Sequence, residues 1–193
     1  MKNILIMGAG RAGKTTLSNM LKEKYNQYSL IHSDSIKWAM IRAKGQEQYY
    51  RTNIVEQKEF ECSEFFQKVL LEFLNSCIRK DDHKYGYILE SGQLRAEHVK
   101  EMIDFENTLV VCLGHGDLTK EDIIDLCREN DKEEDWSYNL EYEFLEKHAA
   151  VWHEMNEEFK TECPKYGIPY YDTSKNRHKV LNEILEEISR KVE

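Results

Sequence analysis

Proline and glycine are scarce in this 193-residue chain, at two and nine residues, which excludes a collagen-like fibre, a proline-rich stalk and a glycine-rich linker. Long apolar runs are missing too. Nothing approaches the roughly 18 apolar residues of a membrane span, and the N-terminal run at residues 4–7 is too short for the apolar core of a signal peptide. The five cysteines, Cys62, Cys77, Cys112, Cys127 and Cys163, are widely spaced and form no C-x-x-C pair. That spacing argues against a zinc site or redox couple and for reduced thiols packed as small hydrophobes. Basic residues are outnumbered, 27 Lys and Arg against 36 Asp and Glu, for a net charge of -9, whereas a general nucleic-acid binder normally shows a basic balance. These absences predict a cytoplasmic protein with no membrane partner and no bulk nucleic-acid partner. With 40% hydrophobic residues, the length suffices for a substantial core, and one domain over residues 1–193 is expected.

What is present is an alternation. Short apolar runs at residues 4–7, 29–32, 87–89, 108–113 and 168–171 show little polar interleaving, as strands covered on both faces do. Helical periodicity separates them at 15–24 and 56–79, after Thr119 as N-cap, and over about 177–192. The pattern predicts an α/β fold with a parallel sheet flanked by helices. Two stretches stand outside it. Residues 35–55 are rich in aromatic and guanidinium groups, with Trp38, Arg42, Tyr49, Tyr50 and Arg51, and residues 114–142 contain the charged run 128–135. The plain reading of that run is a solvated face, yet loops after the carboxyl ends of parallel strands form the ligand crevice of such sheets.

Three of the nine glycines fall within six residues. Gly8-Ala9-Gly10-Arg11-Ala12-Gly13-Lys14-Thr15 fits G-x-x-x-x-G-K-[ST], follows an apolar strand and opens a helix. Glycines let successive backbone amides turn inward around a phosphate, and the helix dipole points at the same anion. Lys14 then neutralises β- and γ-phosphate charge, the Thr15 hydroxyl is a hard oxygen ligand for Mg²⁺, and Thr16 continues the same turn.

On these residues the chain resembles the P-loop kinases of the adenylate kinase type, which include nucleotide, shikimate and gluconate kinases and small antibiotic phosphotransferases. The resemblance implies a three-layer α/β/α fold with a five-stranded parallel sheet of order 2-3-1-4-5. It also implies ATP and Mg²⁺ as cofactors, a substrate-binding insertion at about 35–65 and a helical lid at about 114–145. Asp34 falls where such kinases place an acidic residue near the acceptor hydroxyl; the other reading is a cap for a helix starting at Ser35. Glu90-Ser91-Gly92-Gln93-Leu94-Arg95 resembles the D-G-x-P-R segment, with Gly92 and Arg95 toward substrate; Glu90 is equally read as the acidic residue near Mg²⁺. Arg128 is the arginine of the presumed lid, a catalytic charge or a surface ion pair. Thr173, Ser174 and Lys175 resemble the loop that cups adenine, or form an Asp/Ser turn. Trp38 and Arg42 complete the candidate substrate contacts. His115, between Gly114 and Gly116, is a candidate to line the cleft.

The leading reading is a kinase moving the γ-phosphoryl group of ATP to a small-molecule acceptor: a nucleoside, a nucleotide or a hydroxylated metabolite or antibiotic. A GTPase switch is excluded, since neither N-K-x-D nor D-x-x-G occurs. A non-catalytic nucleotide-binding module or regulatory ATPase is the alternative that the residues leave open.

Overall fold

The computed structural model describes residues 1–80, 85–133 and 135–192, with side chains to residue 77 in the first segment. Five parallel strands, β1 (Asn3–Gly8), β2 (Tyr28–His32), β3 (Gly86–Ser91), β4 (Thr108–Gly114) and β5 (Tyr170–Asp172), form one sheet in the order 2-3-1-4-5. Central β1 pairs with β3 on one side, Ile4 opposite Ile88, and with β4 on the other, Ile4 opposite Leu109. This is the expected topology. It carries helices on both faces, and all six residues of β1 are buried.

The period of two along β1 sorts the core. Ile4 and Ile6 face α1 (Lys14–Lys24) and α9 (Arg177–Val192), joining Leu17, Leu21, Leu181, Ile184 and Ile188. Leu5 and Met7 point the other way, toward the buried Phe66, Leu70 and Leu74 of α5 (Glu64–Lys80), Val99 of α6 (Ala96–Met102), and Phe159 and Cys163 of α8 (Tyr142–Lys165). A third cluster belongs to the lid region, where Ile123, Ile124 and Cys127 of α7 (Lys120–Asn130) pack on Leu145 and Ala149 of α8. Thr119 caps α7 as its sequence predicts, in a reciprocal box with Asp122.

The insertion after β2 consists of α2 (Ser33–Ala43), α3 (Glu47–Thr52) and α4 (Ile54–Cys62). The single helix expected over 56–79 is therefore two. Ser63 adopts an extended backbone, its hydroxyl donating to the Phe60 carbonyl at 2.7 Å and accepting from the Phe66 amide at 3.3 Å. One serine thus ends α4 and starts α5, a local side-chain bond competing with helix continuation. The helical period of 56–79 aligns Phe66, Val69, Leu70, Phe73, Leu74, Cys77 and Ile78 in one stripe; of these Phe73 is exposed, and the Ile78 side chain lies outside the described residues. The fifth strand begins at Tyr170 rather than residue 168, with Ile168 buried just before it. Among the described residues none of the five cysteines forms a disulfide, and no helix is long and apolar enough to cross a membrane.

Candidate functional site

The phosphate loop closes the turn from β1 to α1 through two left-handed residues, Arg11 at φ 64° and Gly13 at φ 93°. For Arg11 this backbone is strained, and such strain persists only where surroundings hold it. Here they do: its guanidinium reaches the segment after α7, ion-paired with Asp131 and donating to the Ser137 hydroxyl at 2.8 Å. α1 begins at Lys14, so its first-turn amides, including those of Thr15 and Thr16, have no intrahelical acceptor. Lys14 Nζ donates to the Ala9 carbonyl at 2.7 Å across the loop. Burial pulls the Lys14 ammonium below its ordinary pKa despite the opposing fields of Glu90 and Asp34. A lysine so placed gains strongly from any anion the loop admits.

One cavity of about 870 Å³ runs from this loop toward the insertion and the lid, lined at its phosphate end by Gly10, Lys14, Thr15, Glu90 and Gly92. The Thr15 hydroxyl donates to Glu90 Oε1 at 3.0 Å, and Glu90 Oε2 meets His32 Nδ1 at 2.6 Å. Beside them lies Asp34 in the first turn of α2, which starts at Ser33. Its carboxylate caps no helix; it accepts from Lys37 Nζ at 2.8 Å and from Gln93 Nε2 at 2.8 Å. The cap reading of Asp34 is thus set aside. Although 65% of the Asp34 side-chain surface is open to the cavity, the cleft is deep enough that desolvation would push its carboxyl up. Lys37, Lys14 and Gln93 outweigh that and hold it below the usual carboxylate range. Lys37 is buried between two carboxylates, with Glu61 at 2.6 Å on the other side. Burial would lower its pKa, but Glu61 and Asp34 together raise it.

Of the expected substrate residues, Trp38 and Gly92 line the cavity and Arg42 and Arg95 do not. Arg42 pairs with Glu47 on the surface. Arg95 turns under α8 toward Glu158 at 3.3 Å, close to the Cys62 thiol. Arg128 donates to the carbonyls of Tyr138 at 3.1 Å and Leu140 at 2.7 Å, so here it ties the lid loop together rather than reaching over the phosphate loop. Thr173 is buried, its hydroxyl between the carbonyls of Ala12 and Gly114, both at 2.9 Å. It fixes the loop after β5 to the phosphate loop. Ser174 N–H bonds the Asp172 carboxylate at 2.8 Å in an Asx turn, and Lys175 is exposed.

His115 is a buried neighbour of the cavity. Its Nε2–H donates to the Gly10 carbonyl at 2.6 Å, and its own amide donates to Asn156 Oδ1 at 2.7 Å. Burial first, then Arg177 and Lys14, lower its pKa to about 4. The charged run 128–135 is not simply a solvated face, because Asp131 and Asp135 hold Arg11; Glu134 within it lies outside the described residues.

Sequence reasoning missed Lys37, Glu61 and Gln93, which hold Asp34, and the aromatic wall of Trp136, His148 and Trp152. Trp136 stands edge-on to His148 at 5.0 Å, and His148 stacks on Trp152 at 5.6 Å. The separation of Asp34 and Lys37 by three positions was a readable signal for an ion pair on one helix face. The wall carries no signal of that kind, since Trp136 and Trp152 come from a loop and a helix.

No family model matches the chain, and no curated protein matches it in sequence. Solved structures do match in fold. A gluconokinase from Sinorhizobium meliloti superposes with a TM-score of 0.60 at 12% identity, over 98% of this chain and 92% of the other. A shikimate kinase from Aquifex aeolicus gives 0.51 at 17% identity, over 98% of both chains. A shikimate kinase from Acinetobacter baumannii in complex with shikimate gives 0.54 at 15% identity, over 100% of this chain and 93% of the other. The chain has the three-layer fold shared by these small-molecule P-loop kinases.

Proposed function

We propose that this protein is a cytoplasmic ATP- and Mg²⁺-dependent phosphotransferase that moves the γ-phosphoryl group to a hydroxyl of a small-molecule acceptor. The observation that carries the reading is that Lys14 and Thr15 of the phosphate loop and Asp34 of the insertion line one and the same cavity. The likeness to gluconate and shikimate kinases supports the same reaction class.

In this mechanism the loop amides and Lys14 grip the phosphates, and Lys14 leaves the Ala9 carbonyl for the charge that develops on the transferring group. Thr15 Oγ1 and Glu90 Oε1, 3.0 Å apart, are hard oxygen donors that fit Mg²⁺ alongside phosphate oxygens. Among the described residues no three His, Cys, Asp or Glu gather into a metal cage, so phosphate oxygens would complete the coordination. When bound, the ion offsets phosphate charge. Asp34 orients the acceptor hydroxyl by accepting its hydrogen bond. Its depressed pKa makes it a weak base, which suits a loose transition state in which the hydroxyl proton leaves late. The lid excludes water that would otherwise compete as acceptor.

Calorimetry with Mg-ATP tests the first half: the wild type binds and Lys14→Ala loses binding, and failure of either result removes the nucleotide assignment. Asp34→Asn tests the second. Transfer to an identified acceptor should fall by about two to four orders of magnitude, and full retention would remove Asp34 from the chemistry.

A further inference from the structure

Resting on the kinase reading, the cavity itself sets the acceptor's chemical class. Its cations are already engaged. Apart from Lys14, which serves the phosphates, the lining holds Lys37, Arg51 and Lys58. Lys37 is bonded to Asp34 and Glu61, and Lys58 is paired with Glu154. Arg51 bonds Glu47 at 2.7 Å while its guanidinium lies 4.6 Å from the ring centroid of Trp38. An acceptor carboxylate or phosphate would have to break one of these pairs, leaving an unpaired carboxylate in its place. Arg42 and Arg95, themselves paired with Glu47 and Glu158, are outside the lining. Glu141, which makes no ion pair among the described residues, stands on the same wall and repels anions further.

The part of the lining that comes from α8 and the residues just before it is apolar and aromatic. Trp136 and Phe144 line it while 58% and 41% exposed, with Val151, Trp152 and Met155 behind them. A tryptophan left this open at a cavity rim is unusual for a side chain whose burial is worth so much. His148 in the same wall has its pKa lowered to about 4, chiefly by burial, so it adds no positive charge there at neutral pH. Loop residues 173–175 are not part of the lining, which separates this wall from the loop assigned to adenine.

We infer that the phosphoryl acceptor is an uncharged, hydroxyl-bearing molecule with a flat aromatic ring, seated on Trp136 and Phe144 with its hydroxyl at Asp34, and not a carboxylate or a phosphate ester. In the transfer, the bond from the γ-phosphorus to the bridging oxygen of ATP breaks as one forms to the acceptor oxygen. ADP leaves, and the hydroxyl proton passes to solvent by way of Asp34.

The test is ligand-observed NMR with the wild-type protein saturated with a non-hydrolysable ATP analogue and Mg²⁺. The probes are thymidine, uridine and simple aryl alcohols, set against gluconate, shikimate and thymidine 5′-monophosphate. The neutral aromatic probes should bind about tenfold or more tightly than the anions, and Trp136→Ala and Phe144→Ala, both at exposed positions, should each weaken them about tenfold. Glu61→Gln, which releases part of Lys37, should narrow the gap to the anions. Equal or better binding of the anions, no binding of the aromatic probes, binding indifferent to both variants, or displacement by the nucleotide analogue would each overturn the inference. Failure of the kinase reading looks different: Mg-ATP does not bind in calorimetry, whatever the probes do.

Discussion

Arg11 of the phosphate loop and Asp131 beyond α7 form an ion pair in which the aspartate side chain is only 4% exposed. Ser137 joins them, donating to Asp131 at 2.5 Å and accepting from Arg11 at 2.8 Å. The segment after α7 is thereby tied to the loop between β1 and α1. Asp131→Ala should cost about 2–3 kcal/mol, because among the described residues the guanidinium is left with Ser137, the Cys127 thiol and the more distant Asp135. Asp131→Asn should recover part of the loss by retaining the hydrogen bonds. Hydrogen exchange over 120–141 should quicken in the alanine variant while the sheet amides stay protected, and unchanged protection across that segment would show that the ion pair is not what holds it.

Gly10 is where the phosphate loop meets α8. A Cβ built there would lie 2.3 Å from the indole nitrogen of Trp152, well inside contact distance, so Gly10→Ala must displace the indole or the loop. Mg-ATP affinity in calorimetry should drop by an order of magnitude or more, about 1.4 kcal/mol per decade. Adding Trp152→Ala should restore much of it. A double variant as impaired as the single one would place the fault in the loop backbone instead.

Two histidines make stability depend on pH. His115 and His148 each fall from 6.5 to about 4 in the folded protein, mainly through burial, so below pH 6.5 the unfolded chain binds protons that the folded one refuses. Stability is complete above about 6.5 and declines as pH falls toward 4. The loss is on the order of 2–3 kcal/mol for His115, and smaller for His148, which borders the cavity. Asp34 acts lower down: its folded pKa is depressed, so its contribution is present above the ordinary 3.8 and is lost as pH falls through the folded value. Urea unfolding at pH 7 and pH 4.8 should show the decline, and His148→Phe, which keeps a ring in the wall, should flatten it. Identical slopes in wild type and variant would clear His148 of any part in it.

Lys37 carries two carboxylates. Lys37→Met leaves Asp34 and Glu61 facing each other without a cation, so the Asp34 carboxyl should rise and stability should fall by about 3 kcal/mol. Adding Glu61→Gln should recover a good part of that loss. Chemical denaturation of the four members of the cycle measures the coupling, and simple additivity would contradict the shared ion pair.

The strands and the phosphate loop could be read from residues because they are local or rest on a strict pattern, whereas the strand order came with the family resemblance. Apolar runs without alternation marked the buried strands, and one eight-residue motif marked the loop. The arginines were the failure. Residue type places Arg42, Arg95 and Arg128 near an anion, but their direction depends on carboxylates and carbonyls contributed by Glu47, Glu158, Tyr138 and Leu140, of which all but Glu47 lie far from their partner in sequence or beyond a loop of unknown path. Asp34 stands out because it follows a strand; Gln93, which donates to it, and Glu61, which shares Lys37 with it, do not, because only folding brings 61 and 93 to that helix. Ser63 shows a subtler limit, a polar residue that fits a helix by period and breaks it by its own hydrogen bonds.

α8 joins the cavity to the phosphate loop in a way that periodicity does not announce. Trp152 lines the cavity, and Asn156, one turn on and on the same side of the helix, donates to the Gly116 carbonyl at 3.0 Å and accepts from the His115 amide at 2.7 Å. His115 in turn holds the Gly10 carbonyl, and Gly10 abuts Trp152. The circuit closes on itself. On the proposed function, a ligand that moves the indole would also move the loop proposed to hold phosphate, and thermodynamic linkage would make the effect mutual: each ligand would change the affinity of the other by the same factor.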